Sequence, residues 1–150
     1  RCRCNMARLV STYTESAAGR DHGKKFVVTE MDPRSGHRWA SRLLFAILNS
    51  GGDVSPEILN AGLAGVARMG IAAALKIPHE VAEPLMEELL DCVQVLPENN
   101  VPRLVMNGDI EEVLTLFRLQ VAAWNLHIEP FMRGVKSISE SATAPDKSTA

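Results

Sequence analysis

The chain has 150 residues, of which 46% are hydrophobic and 23% charged, and these proportions are typical of a single globular domain. The formal net charge is −2, so the composition gives no sign of the basic surface with which proteins bind nucleic acid. With one Tyr and four Phe, the chain also lacks a stacking platform for single-stranded bases. The apolar run 71–75 is far too short to cross a bilayer.

Residues 1–23 are rich in Ser, Thr, Ala and Gly, and we expect them to form a flexible N-terminal arm. Met6 is a second candidate for the native start. Cys2 and Cys4 form a single C-x-C with no second ligand pair nearby, which argues against a zinc site. Together with Cys92 they make three cysteines. An odd number at these spacings does not indicate a disulfide framework and fits a reducing cytoplasm. Cys92 is best explained as a small core residue.

Residues 25–30 carry the β-branched and aromatic side chains of a strand. The segment that begins at Arg103 is the best candidate for its mate, which predicts a two-stranded ribbon. A helix follows from Pro33, which suits its first turn, and Gly51 stops it.

The next segment opens with Ser55 as N-cap and contains many Gly and Ala residues, which predicts close helix packing or two helices broken near Gly70. A further helix is predicted over residues 79–95, with Pro84 inside it. Residues 135–150 lack apolar periodicity and are expected to be a disordered tail.

The last predicted helix begins near Asp109 as its N-cap and is apolar on two faces. The first face, called here the broad stripe, has the spacing of an ordinary inward face. It comprises Ile110, Val113, Leu114, Phe117, Val121, Trp124, Ile128 and Phe131. The second face, called the narrow stripe, comprises Leu116, Leu119, Ala123 and Leu126. The narrow stripe needs a neighbour, which is either more of this chain or a different chain.

These patterns predict a mainly α fold, a single-domain helical bundle of four to five helices with a minor two-stranded β-ribbon. The helical domain would span residues 24–134, between the N-terminal arm and the C-terminal tail. We see no internal repeat.

No pattern for catalysis, cofactor binding or metal binding is found. The chain has no G-x-G-x-x-G, P-loop, G-x-S-x-G or H-E-x-x-H motif. His79 and Glu83 share a helical face, but without further ligands a surface pair is the better explanation. The acidic run formed by Glu87, Glu88 and Asp91 is typical of a solvated face. We therefore expect no enzyme activity, no catalytic residue, no cofactor and no metal.

The order of the segments resembles that of the tail assembly chaperones of long-tailed bacteriophages. The likeness runs through "KFVVTEMDP", "RWASRLLFAIL", "NAGLAGVARMGI", "AEPLMEELLDCVQVLP" and "DIEEVLTLFRLQVAAWNLHIEPF". It covers residues 24–134, is spread over the whole segment and has no catalytic signature. The first 23 residues are not part of it.

The resemblance implies a non-enzymatic protein that binds the phage tape-measure protein in the host cytoplasm. Such chaperones keep that protein soluble until tail-tube subunits polymerise around it, so the tail-tube protein is a second expected partner. They are absent from the finished virion. In many phages a frameshift near the end of the gene also makes a longer product. No nucleic acid or membrane partner is implied.

A chaperone of this kind needs an exposed apolar surface, and the narrow stripe is the candidate partner-binding site. Three alternatives stay open. The segment around residues 61–74 would cover the stripe internally, or the stripe would pair with its copy in a homo-oligomer. The third is that the protein is a phage structural or tail-completion protein retained in the virion.

Overall fold

The computed structural model describes residues 8–50 and 76–142, and side chains within these ranges as far as residue 130. The segment predicted as helix from Ser55, as well as Cys2 and Cys4, lies outside the described residues. The described elements are, in order, β1 Val10–Thr14, β2 Lys25–Thr29, α1 Pro33–Asn49, α2 His79–Leu90, β3 Val93–Leu96, β4 Arg103–Leu104 and α3 Val113–Ala142.

The four strands form one antiparallel sheet in the order β1-β2-β3-β4. Phe26 lies opposite Val95, and Val28 lies opposite Val93. These four side chains point to the same face of the sheet, because alternate residues of a strand do so, and each is at most 7% exposed. The buried face of the sheet is therefore built on the pairing of β2 with β3.

This sheet contradicts the predicted helical bundle: the fold is α+β. The main error lies at residues 93–95, which were predicted as the end of a helix and instead begin β3. Helix α2 starts at His79 as predicted and continues through Pro84, but it ends at Leu90. Val93 and Val95 bury their side chains against β2, and this long-range pairing outweighs the local helical spacing.

The predicted ribbon was also wrong in its pairing. β2 lies between β1 and β3, and the segment that begins at Arg103 pairs with β3 instead. β1 belongs to the residues predicted as a flexible arm, so the sheet begins before residue 24.

The prediction for α1 is confirmed. It begins at Pro33, and the side chain of Asp32 caps it by accepting hydrogen bonds from the backbone N–H groups of Arg34 and Ser35, both at 3.1 Å. Its inward face includes Trp39, Leu43 and Ile47, each at most 2% exposed.

The core lies between one face of the sheet and the helices. Trp39 of α1 sits at its centre: its ring meets that of Trp124 edge to face, with centroids 5.6 Å apart. The indole N–H of Trp39 donates to the backbone oxygen of Leu85 at 2.9 Å. One side chain thus joins α1, α2 and α3 and satisfies its own buried donor.

α3 begins at Val113, four residues after the predicted cap, and runs to Ala142, into the segment predicted as a disordered tail. Asp109 stays outside the helix. Its carboxylate accepts hydrogen bonds from both terminal nitrogens of Arg103 at 2.7 Å and from the backbone N–H of Met106 at 2.6 Å. Among the described residues, no helix has the length and apolar character needed to cross a membrane.

Candidate partner-binding surface

The narrow stripe of α3 points mostly into the core. Leu119 and Ala123 are fully buried and Leu126 is 8% exposed, whereas Leu116 is 36% exposed. The core cluster that includes the first three also contains residues of the sheet and of the other helices. Partner binding by the narrow stripe remains a prediction, but three of its four members are enclosed by the chain itself.

The broad stripe, which was expected to face inward, does so only in part. Trp124 and Ile128 are at most 7% exposed, so α3 is enclosed on both faces there. Ile110, which precedes the helix, is partly buried against the core. Four other members of the stripe are exposed. We call them the open face, which comprises Val113, Leu114, Phe117 and Val121. These four side chains are between 41% and 68% exposed.

The four residues of the open face lie along one side of α3. Val113, Phe117 and Val121 follow one another at intervals of four residues, and Leu114 lies beside them. Residues at this spacing form a continuous line along a helix. Isolated exposed apolar side chains are common on monomeric proteins, whereas a contiguous apolar surface marks a site of interaction.

A small groove adjoins the opposite edge of α3. Its volume is about 330 Å³, and its lining is mostly apolar: Leu90, Asp91, Val93, Leu104, Val105, Ile110, Leu116 and Leu119. Two members of the narrow stripe, Leu116 and Leu119, are therefore brought together here with residues near β4. Ala123 and Leu126 are not part of the lining.

A network of charged residues fixes the start of α3 against the sheet. We call it the polar clamp. It comprises Glu15, Arg20, Asp21 and Lys24 from the connection between β1 and β2, and Glu111, Glu112 and Arg118 from the start of α3.

Asp21 is the centre of the clamp. Its fully buried carboxylate accepts hydrogen bonds from the backbone N–H groups of Glu111 at 3.0 Å and Glu112 at 2.9 Å, and from Lys24 Nζ at 2.7 Å. Burial alone would raise the pKa of this carboxyl, but the hydrogen bonds outweigh burial and hold the pKa well below its ordinary value. The negative charge also lies at the positive end of the helix dipole.

Glu15 makes a second buried attachment. Its carboxylate accepts from Arg118 at 3.1 Å and from the backbone N–H of Ala17 at 2.9 Å. The hydrogen bond from Ala17 is the main cause that lowers the pKa of Glu15; burial opposes it and Arg118 adds to it. Asp21 holds the two residues that precede α3, and Glu15 holds Arg118 within it. These two attachments fix the start of α3 in both position and rotation, and with it the direction of the open face.

Cys92 and His127 are close together, but their environment does not fit a reactive pair. The thiol sulfur lies 3.9 Å from Nε2 of His127. That nitrogen accepts a hydrogen bond from the backbone N–H of Met31 at 2.9 Å, and Nδ1 lies 2.7 Å from the oxygen of Ala123. Burial, with Asp91 and Glu88 nearby, raises the pKa of the Cys92 thiol to about 11. A nucleophilic cysteine needs the opposite shift.

His79 and Glu83 form the predicted surface pair: Nε2 and Oε2 lie 3.7 Å apart, and both side chains are largely exposed. Within the described ranges, no group of three or more His, Cys, Asp or Glu side chains is arranged to hold a metal ion. No protein-family model, curated protein or solved structure significantly matches the chain.

Proposed function

We propose that this protein is a tail assembly chaperone of a long-tailed bacteriophage, which binds the tape-measure protein and keeps it soluble in the host cytoplasm until the tail tube forms. The observation that carries the proposal is the open face of α3. The order of segments that resembles this family supports it independently. The role is one of binding and needs no chemical step.

The open face suits an amphipathic helix as its partner. Such a helix presents apolar side chains at intervals of three and four residues, which match the spacing of Val113, Phe117 and Val121. Burying these side chains contributes roughly 25 cal/mol per Å² of apolar surface, before the costs of association are subtracted. A long helical protein that has not yet been enclosed by tube subunits exposes many such stripes.

The polar clamp supports this role because it holds the binding helix in place before a partner arrives. The buried carboxylates of Asp21 and Glu15 hold the two residues before α3 and Arg118 within it. A surface that is already ordered loses less conformational freedom on binding, so more of the apolar burial is retained as affinity.

The experiment is co-expression of the full chain with the tape-measure protein of the same phage, with the soluble fraction of the latter as the readout. We expect the wild-type protein to raise that fraction and to co-purify with the tape-measure protein. Phe117→Asp and Val121→Asp should abolish both effects, because each places a charge in the interface. Both residues are exposed, so the variants should remain folded.

Phe45→Asp is the matched control. Phe45 is 62% exposed, like Phe117, but belongs to α1. Its replacement removes an exposed aromatic side chain and adds the same charge without altering the open face. Equal loss of binding in the Phe45 and Phe117 variants would contradict the assignment to α3.

Purified virions provide the second readout. A chaperone is released when the tail is complete, so mass spectrometry of the particles should not detect this protein. Stoichiometric retention in the particle, without any effect on the solubility of the tape-measure protein, would overturn the proposal in favour of a structural or tail-completion protein.

A further inference from the structure

The outer edge of β1 is a second surface that could bind a partner, through backbone N–H and C=O groups. β1 lies at one end of the sheet and pairs only with β2 in the part of the chain that the structure describes. Its side chains are exposed except for Tyr13, which is partly buried. This edge belongs to the sheet, so it is separate from the open face of α3.

The register shows which backbone groups point away from β2. The N–H of Glu15 donates to the oxygen of Lys24, and the N–H of Glu30 donates to the oxygen of Leu9, both at 2.9 Å. Antiparallel strands direct alternate residues to each neighbour. Residues 9 and 15 bond to β2. The alternate residues between them, Val10, Thr12 and Thr14, therefore direct their N–H and C=O groups to the outer edge.

The opposite edge of the sheet is protected, and the contrast is informative. β4 has only two residues. The guanidinium of Arg103 pairs with Asp109 and also donates to the backbone oxygen of Leu104 at 3.0 Å. A short edge strand with a charged residue discourages pairing with another chain. β1 has five residues, "VSTYT", with no charge and no proline, so it lacks these protections.

We propose that β1 pairs antiparallel with β1 of a second copy of this chain, about a two-fold axis at Thr12. Val10 then lies opposite Thr14 of the second copy, and Thr12 lies opposite its own copy. All three outward-facing residues are used, and none is left over. A two-fold contact of this kind closes on itself and produces a dimer rather than a fibre.

A second copy fits this edge because β1 is compatible with itself. No charged residue lies within the strand, so pairing brings no like charges together. Pairs of threonines, and of threonine with valine, are favourable across antiparallel strands. The dimer joins two four-stranded sheets into one.

Analytical ultracentrifugation of the full chain over a range of concentrations tests the proposal. We expect the weight-average mass to rise with concentration from 16.4 kDa towards twice that value. Thr12→Pro removes an outward N–H without removing a hydrogen bond to β2. Proline is tolerated in an edge strand at a position whose N–H points outward. The change is present in both copies, so the dimer loses two hydrogen bonds at once. This variant should therefore weaken the dimer at least about tenfold.

Thr12→Ala is the matched control, since it keeps the N–H and should change the dissociation constant by less than about threefold. Thr12→Lys keeps the backbone intact but places two like charges at the axis. The lysine variant should weaken the dimer most at low salt. It replaces the proline variant as the test if the proline variant fails to fold. A wild-type protein that is monomeric at every concentration overturns the proposal, as does a dimer unaffected by both the proline and lysine variants. A monomer whose β1 variants lose the tape-measure protein would assign the edge to that partner instead.

Discussion

The carboxylate of Asp21 accepts a hydrogen bond from the backbone N–H of Glu111 at 3.0 Å, across a separation of 90 residues. It accepts a second from Glu112, so a residue of the β1–β2 connection holds the two residues that precede the longest described helix. We call this contact the distant cap. In α1, by contrast, the cap is the adjacent residue Asp32. The distant cap ties the approach to α3 to the sheet and satisfies two backbone N–H groups there.

Replacing Asp21 should therefore cost more stability than replacing Asp32. We expect Asp21→Ala to lower the free energy of unfolding by about 3 kcal/mol, since it leaves the N–H groups of Glu111 and Glu112 without their partner and removes one of the three hydrogen bonds of Lys24. Asp32→Ala removes a partly exposed local cap and should cost about 1 kcal/mol. Urea denaturation of the two variants measures the difference. Equal losses would show that the distant cap adds nothing beyond a local one.

Acid should destabilise the protein between about pH 4 and pH 2. Hydrogen bonding from Arg103 lowers the pKa of Asp109 to about 2, and the pKa of Asp21 is also held low. An unfolded Asp has a pKa of about 3.9. Below that pH the unfolded state binds more protons, so the contribution of these carboxylates is complete above it and is lost as the pH falls.

The readout for this effect is the urea midpoint measured from pH 2 to pH 6. The fall of the urea midpoint at low pH is called here the acid limb. Asp109→Asn should make this fall less steep, because the asparagine side chain cannot titrate. Arg103→Ala should flatten it as well, since it removes the main cause of the low pKa of Asp109. An acid limb as steep as that of the wild type in both variants would show that this pair does not control the loss.

Replacing Leu116 and replacing Leu119 should lower the free energy of unfolding by very different amounts, although both residues belong to the narrow stripe. Leu119 is fully buried, so Leu119→Ala should cost about 2–5 kcal/mol by leaving a cavity. Leu116 is 36% exposed, and Leu116→Ala should cost about 1 kcal/mol. Thermal and urea unfolding of the two variants measure both values. A cost at Leu119 as small as that at Leu116 would mean that this turn of α3 does not face the core.

Cys92 should react slowly with thiol reagents in the folded protein. A thiol with a pKa of about 11 has roughly one thiolate in a thousand at pH 8, compared with about a quarter for an unperturbed cysteine. In a chain that also carries Cys2→Ser and Cys4→Ser, unfolding in urea should raise the labelling rate at least about a hundredfold. Asp91→Asn should raise the folded rate slightly, because Asp91 contributes to the shift. Equal rates in the folded and unfolded chains would contradict the environment described for this thiol.

The elements that were predicted well are those decided by neighbouring residues. Pro33 after a capping Asp begins α1, and the β-branched run after Lys25 forms β2. The start of α2 at His79 likewise follows local signals. In these segments the local preference and the fold agree, so the sequence pattern was sufficient.

The errors concern elements that depend on distant partners. Leu85, Leu89, Cys92 and Leu96 have helical spacing, and only the pairing of Val93 and Val95 with β2 makes this end of the segment a strand. The serine- and threonine-rich β1 resembles a loose arm until β2 lies beside it. Neither partner can be identified from periodicity alone.

The candidate site was predicted in part. Two apolar stripes on α3 were recognised, but a helical wheel does not show which one the remaining chain covers. Here three of the four narrow-stripe residues are buried in the core, whereas the four open-face residues of the broad stripe are exposed. The polar clamp was missed because Glu15 and Asp21 are ordinary charged residues of a polar segment. Their role depends on groups about 100 positions away.

The distant cap also has a consequence for the order in which the protein is made. The ribosome releases the hairpin of β1 and β2 first, when the N–H groups of Glu111 and Glu112 do not yet exist. Until they emerge, a buried Asp21 would be a charge without most of its hydrogen bonds, so the hairpin cannot adopt its final surroundings. The open face lies immediately after these residues. A nascent chain can therefore order this part of α3 against the hairpin only after Glu111 and Glu112 have left the ribosome.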